Sequence, residues 1–319
     1  MKTTPFTGRL NYPGKLDAII ERLCRAYGVG VPTTFSIVEV GYEDCNVAIQ
    51  TAEGKFLAKM FNKKRTSEDV ERYVTILEKA VERGVNHPEL LRTEAGATVY
   101  REDGLALVLM RFIEGKTFFE LERAPDSVEL EAILEQAAKI NSIVHKPPYL
   151  YDSWAIPNIK DMFERVQQFI QPDDLNLVKR VLEEYSRIPV DDLFHCFVHG
   201  DFIKTNVLKA NDGTIYILDF SVANWYPRIQ ELAVILANLM HDANDTRTLS
   251  KQCELVADGY SKYISLSSQE RDSLYPYALA GVAMEFMGAH QEKYINGNDT
   301  EETEYWFILG RESLHKELQ

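Results

Sequence analysis

Near residue 112 the periodicity of the chain changes, and no other feature limits its fold as much. Upstream, apolar residues alternate in short runs at 35–40, 46–51, 55–61, 97–101 and 105–112. This is the two-residue period of strands with one buried face. Ala52-Glu53-Gly54 and Glu102-Asp103-Gly104 are turn sequences between such runs. Apolar residues at three- and four-residue spacing predict a helix over 15–27. A second helix starts at Thr66 or Ser67, carries the stripe Val70, Val74, Leu77 and Val81, and stops at Gly84. Downstream, helical spacing dominates at 128–145, 158–170, 172–187 and 228–242, and from 249 to the end. The one β-like interruption is 196–219. The expected fold class is therefore α+β with two lobes: a small antiparallel sheet plus one helix in residues 1–110, and a larger, mostly helical lobe in 111–319. A cleft between unequal lobes is where a ligand is expected.

Composition removes several classes of function. The 319 residues are 45% hydrophobic and 26% charged, as in ordinary globular chains. A formal net charge of −14 opposes nucleic acid and anionic membranes as partners. No run reaches the roughly 18 apolar residues of a membrane helix, and Met1 to Pro5 lead into no apolar leader segment. Cysteines stand singly at 24, 45, 196 and 253. That spacing argues against a zinc site or a disulfide framework and for a reducing, cytoplasmic setting.

The chemistry is concentrated in Val198-His-Gly-Asp201-Phe-Ile-Lys-Thr-Asn206-Val-Leu and the later Ile215-Tyr-Ile-Leu-Asp219-Phe-Ser. The pattern is H-x-D-x-x-x-x-N followed by an aspartate, with apolar residues flanking each acid. These residue types suit phosphoryl transfer. A carboxylate, Asp201, would orient an acceptor hydroxyl and take its proton. An amide oxygen from Asn206 and a carboxylate from Asp219 are hard ligands for the Mg²⁺ that accompanies a nucleotide triphosphate. The spacing matches the catalytic loop of kinases. His199 is expected to be a buried residue that holds the loop. Lys204 is either near the γ-phosphate or a solvated loop lysine, and His145 is a helix-end cap or core residue. Gly115-Lys116-Thr117 resembles the end of a phosphate-binding loop, but the glycine such a loop needs upstream is Met110, so it is set aside.

With these residues in view, the chain resembles the aminoglycoside phosphotransferase and choline kinase superfamily, whose fold is like that of protein kinases. Gly41-Tyr-Glu-Asp-Cys-Asn46, Phe56-Leu-Ala-Lys59-Met-Phe, Lys64-Arg65 and Arg25-Ala-Tyr-Gly-Val look like the opening of type II homoserine kinases. The ending, with Ala283-Met-Glu-Phe, His290, Tyr294 and Trp306-Phe-Ile-Leu, is similar to hydroxylysine-kinase-like members. The resemblance spans about residues 20–310 and implies an ATP- and Mg²⁺-dependent small-molecule kinase. It implies that Lys59 contacts the nucleotide phosphates and that a helix glutamate, Glu71 before Glu68 or Glu78, pairs with it. It also implies that the 41–46 loop, with Gly41 and Asn46, covers the nucleotide, with Glu43 and Asp44 pointing outward. Adenine is expected at the backbone of Met110-Arg-Phe-Ile113, with Met110 and Phe112 as its contacts.

The acceptor implied is a small hydroxylated metabolite: an amino alcohol, a hydroxy amino acid, an aminoglycoside or a sugar. An amine on it would find acids among Asp242, Asp245, Glu285 and Glu292. A nucleotide-binding pseudokinase is the alternative, disfavoured because Lys59, Asp201, Asn206 and Asp219 are all present. A protein kinase is disfavoured because no Ala-Pro-Glu segment follows Asp219.

Overall fold

The computed structural model describes residues 7–10, 12 and 14–318; Met1 to Pro5, read above for a leader, lie outside the described residues. Two compact units are present. One comprises the chain up to Glu78 together with His87–Gly115, the other Lys79–Asn86 and the chain from Lys116 onward.

The first unit is built on helix α1 (Leu16–Ala26), strands β1 (Pro32–Val38), β2 (Cys45–Thr51) and β3 (Gly54–Met60), helix α2 (Ser67–Glu82), whose last turn belongs to the other unit, and strands β4 (Val99–Glu102) and β5 (Leu105–Arg111). The sheet is antiparallel in the order β1-β2-β3-β5-β4. Alternation decides which face is buried. Val47 and Ile49, Phe56, Ala58 and Met60, and Leu105, Leu107 and Leu109 close against Ile19, Ile20 and Leu23 of α1. Each such side chain contributes about 1.5–3 kcal/mol of burial. Leu57 and Lys59 consequently project to the opposite face. The α2 start is a reciprocal cap: Asp69 N donates to Thr66 Oγ1 at 3.1 Å, and Thr66 N donates to Asp69 Oδ2 at 2.8 Å. β1 starts at Pro32, ahead of the expected 35, which an edge strand tolerates because its proline owes no ladder hydrogen bond. The expected division at 110/111 falls inside β5.

The second unit contains β6 (Gly115–Thr117), α3 (Ser127–Asn141), α4 (Ile159–Val166), α5 (Pro172–Tyr185), β7 (His195–Val198), β8 (Val207–Ala210), β9 (Ile215–Ile217), β10 (Asn224–Pro227), α6 (Ile229–Val234), α7 (Leu249–Ser261), α8 (Ser268–His290) and α9 (Glu301–Leu318). Strands β6, β8 and β9 form one small sheet; β7 and β10 pair separately. Gly115-Lys116-Thr117, set aside above as a phosphate loop, is a strand. Helix α8 is buried along most of its length, Tyr277 to His290 included, so it has no polar face. A capping box from Ser267 and Glu270 starts it, and Glu270 also binds Arg228 at 2.6 Å.

Several expectations shift. The single helical stretch from 249 onward is three helices. The 228–242 stretch is α6 followed by a π-helical turn at Ile235–Leu239. Helix α3 stops at Asn141, so His145 lies in the loop beyond it rather than at a helix end. Residues 224–227, beyond the β-like stretch expected to end at 219, form β10.

Candidate active site

The His-Gly-Asp segment follows β7, and buried polar groups fix its backbone. Glu231, at the start of α6, is fully buried. Its two carboxylate oxygens accept from His199 N and Gly200 N, each at 2.9 Å. Burial pushes this carboxyl up to about 7, against the lowering by those two N–H groups. Asn141 at the end of α3 donates to Phe197 O at 3.0 Å and to Glu231 at 3.4 Å, and its own oxygen accepts from Tyr260 Oη at 2.8 Å. Gly200 has φ +83°, the left-handed region a glycine tolerates, so the chain can turn sharply before Asp201.

His199 is the buried loop-holding residue the sequence predicts. Asp201 N donates to its Nδ1 at 3.1 Å. The ring proton therefore sits on Nε2, which donates to Leu218 O at 3.0 Å. One neutral imidazole thus joins the loop bearing Asp201 to the residue before Asp219. Asn206 lies just ahead of β8. Its Nδ2 donates to Asp201 Oδ2 at 2.6 Å and to Asp201 O at 3.2 Å, so its carbonyl oxygen is turned away from the carboxylate. Asp219 has φ +56°, an uncommon conformation for a residue with a side chain and one that clusters at functional sites. Its Oδ1 accepts from Ser221 N at 3.2 Å and Ser221 Oγ at 2.5 Å. Asp201, Asn206 and Asp219 are all half-buried. Among the described residues no group of three or more His, Cys, Asp or Glu gathers as a metal cluster. An amide oxygen and a carboxylate do, however, suit Mg²⁺, which keeps several non-protein oxygens and uses one or two carboxylates.

Lys204 is not a solvated loop lysine. It is buried, and its ammonium donates to His241 O at 2.8 Å and Tyr305 Oη at 3.0 Å. Burial lowers it to about 8. Its backbone N donates to Asn238 Oδ1 at 3.0 Å, and Asn238 Nδ2 donates to Glu285 Oε1 at 3.0 Å. Asn238 lies in the π-helical turn, a distortion frequent at functional sites.

The four candidate amine partners separate. Asp245 is neutralised by Arg247 at 2.6 Å, which holds it well below the usual range. Asp242 accepts from Asn244 N and is half-exposed. Glu292 accepts from Asn296 and Asn298. Glu285 is buried beside neutral Asn238, and burial raises it to about 7.

In the first unit, Lys59 is buried, but its partner differs from the expected one. Its Nζ lies 2.9 Å from Asp44 Oδ2, and both side chains are nearly inaccessible. Asp44 therefore points inward, not outward. Glu71 instead binds Arg101 at 2.8 Å and is exposed. Glu43, as expected, is exposed, where it pairs with Arg65. Gly41 has φ +86° in the turn, and Asn46 sits directly across from Lys59 in the β2–β3 ladder. Met110 is buried within β5. The N–H groups of Arg111 and Phe112, expected at adenine, donate to Glu89 O at 3.0 Å and Lys55 O at 3.1 Å. These groups continue the sheet.

A model of the phosphotransferase enzyme family matches residues 34–263. The chain belongs to that family. A homoserine kinase from Methylobacterium radiotolerans is 22% identical over 88% of this chain and 87% of its own length. The solved spectinomycin phosphotransferase, with ADP and spectinomycin, superposes with a TM-score of 0.72 at 12% identity, covering 96% of this chain and 99% of that one. A choline kinase from Streptococcus pneumoniae gives 0.64 at 12% identity, covering 94% and 99%. The fold is that of the kinase-like phosphotransferases, and its place among these relatives makes the protein a small-molecule phosphotransferase.

In this phosphotransferase the sequence motif locates Asp201, Asn206 and Asp219, but not the residues that hold them. Glu231, Asn141 and Asn238 lie outside any motif. Their one sequence signal is polarity inside an apolar helical run, as in Ile229-Gln-Glu-Leu-Ala-Val-Ile-Leu-Ala-Asn-Leu.

Proposed function

We propose that the enzyme moves the γ-phosphoryl group of ATP onto a hydroxyl of a small metabolite that also carries an amine. The observation that carries this reading is the Asp201 carboxylate, borne on a loop held by Glu231, His199 and Asn206. Asp201 orients the acceptor hydroxyl and takes its proton, a role that rewards a fixed geometry. The Asn206 amide donates to Asp201 and so favours the ionised form a base needs. Asn206 Oδ1 and the Asp219 carboxylate are the groups that would hold Mg²⁺. When bound, that ion neutralises triphosphate charge. Lys59 supplies a compact ammonium to the nucleotide phosphates. Four free, buried cysteines and the use of ATP fit work in the cytoplasm.

The amine preference rests on Glu285. It is a buried carboxyl whose hydrogen-bond partner among the described residues is neutral Asn238, which joins it to the backbone of the Asp201 loop. A bound ammonium would draw it into its charged form. Homoserine kinases among the relatives support an amino acid or amino alcohol acceptor.

The test is a panel of homoserine, hydroxylysine, choline, ethanolamine, aminoglycosides and neutral sugars, read by ADP release. Amine-bearing acceptors are expected to turn over, and Glu285→Gln to raise their KM about tenfold or more with the KM for MgATP unchanged. Turnover of neutral sugars alone would remove the amine preference.

A further inference from the structure

We propose that Asp44, from the turn before β2, is the acid that positions the Lys59 ammonium, in place of a helix glutamate. The inference rests on the reading that Lys59 meets the nucleotide phosphates, and it adds the residue that holds it there.

The α2 glutamates expected at Lys59 are directed elsewhere. Glu68, Glu71 and Glu78 are all exposed. Glu71 binds Arg101, and Glu78 binds Arg92 at 3.1 Å. What α2 turns toward Lys59 is Tyr73, whose ring centroid lies 5.3 Å from Nζ.

Asp44, by contrast, is fixed on every side. Its Oδ2 is 2.9 Å from Lys59 Nζ, with the two side chains 2% and 3% exposed. Its Oδ1 accepts from Asn62 N at 2.8 Å, and its backbone oxygen accepts from Arg9 Nη1 at 2.8 Å. Asn62 Nδ2 also donates to Glu43 O at 2.8 Å, which ties the turn to the chain just after β3. The strand register completes the arrangement. Cys45 pairs with Met60 and Asn46 with Lys59, so the turn's acid stands at the mouth of the ladder that carries the lysine.

The chemistry favours a positioning role. A lysine has four rotatable bonds, and a buried ammonium without a partner is costly. A fixed carboxylate at 2.9 Å holds the ammonium in one place. Asp44 is a positioning residue: it acts through Lys59 and touches no substrate.

The experiment is a double-mutant cycle on the full chain, with MgATP binding by calorimetry, steady-state kinetics and thermal melting. Asp44→Asn is expected to raise the KM for MgATP about tenfold with the acceptor KM unchanged. In a Lys59→Ala background the same substitution is expected to add nothing. A merely structural Asp44 would weaken both backgrounds equally, and that result overturns the proposal. So does an Asp44→Asn enzyme that binds MgATP as the wild type does. So does a KM rise for Glu71→Gln as large as for Asp44→Asn. If Asp44→Asn does not fold, Asp44→Glu carries the test: it keeps the charge but displaces it, and a KM for MgATP equal to wild type contradicts a positioning role. Should Lys59→Ala alone leave MgATP affinity unchanged, the reading of Lys59 fails first and takes this inference with it.

Discussion

Glu231 faces two backbone N–H groups where a buried carboxylate ordinarily meets a cation. Glutamine at this position offers one acceptor and turns an NH₂ toward the other N–H. The unsatisfied donor costs about 1–3 kcal/mol, and the displaced loop lowers kcat on the order of 10- to 100-fold. The stability deficit depends on pH in a definite direction. The folded carboxyl is raised to about 7 from an ordinary 4.5. Its contribution is therefore fully present below 4.5 and is lost as pH rises through 7. The Glu231→Gln deficit, measured by urea denaturation, is expected to be larger at pH 5 than at pH 8. A deficit that grows with pH would contradict the burial argument. At this scale the motif residues were legible because phosphoryl transfer demands particular side chains at particular spacings. Glu231 and Asp44 were not, because each works through a partner remote in sequence: a backbone amide for one, a strand lysine for the other.

Among the elements, strands were the most legible. β2 buries one face, so its alternation shows directly in the residues, while β3 and β5 bury one face and part of the other. β10 was missed because Asn224–Pro227 is short and contains a proline. Helix α8 was not separated from its neighbours because burial on all sides erases periodicity; the Ser267 and Glu270 capping pair was the available boundary signal. Where α9 meets α8, Gly310 makes the packing possible. A Cβ there would stand 2.5 Å from Phe286 N and 2.7 Å from Phe286 Cα, both backbone atoms that cannot swing aside. Gly310→Ala is therefore expected to destabilise by about 1–3 kcal/mol through overpacking, read as a lower melting temperature. An unchanged melting temperature would mean that the two helices separate without cost.

For the whole molecule, one unit is built on an antiparallel sheet and the other is mostly helical. None of the described helices is long and apolar enough to cross a membrane. What the chain as a whole could not disclose was which polar residues close around the catalytic loop. Those partners come from α3, α6, the π-helical turn after it and α7, which burial brings together. The account turns on one carboxylate. Asp201→Asn preserves shape and removes the proton acceptor. With an acceptor from the panel and MgATP, kcat is predicted to fall about 10²–10⁴-fold while calorimetry shows MgATP binding retained. An Asp201→Asn enzyme that turns over near the wild-type rate would contradict it.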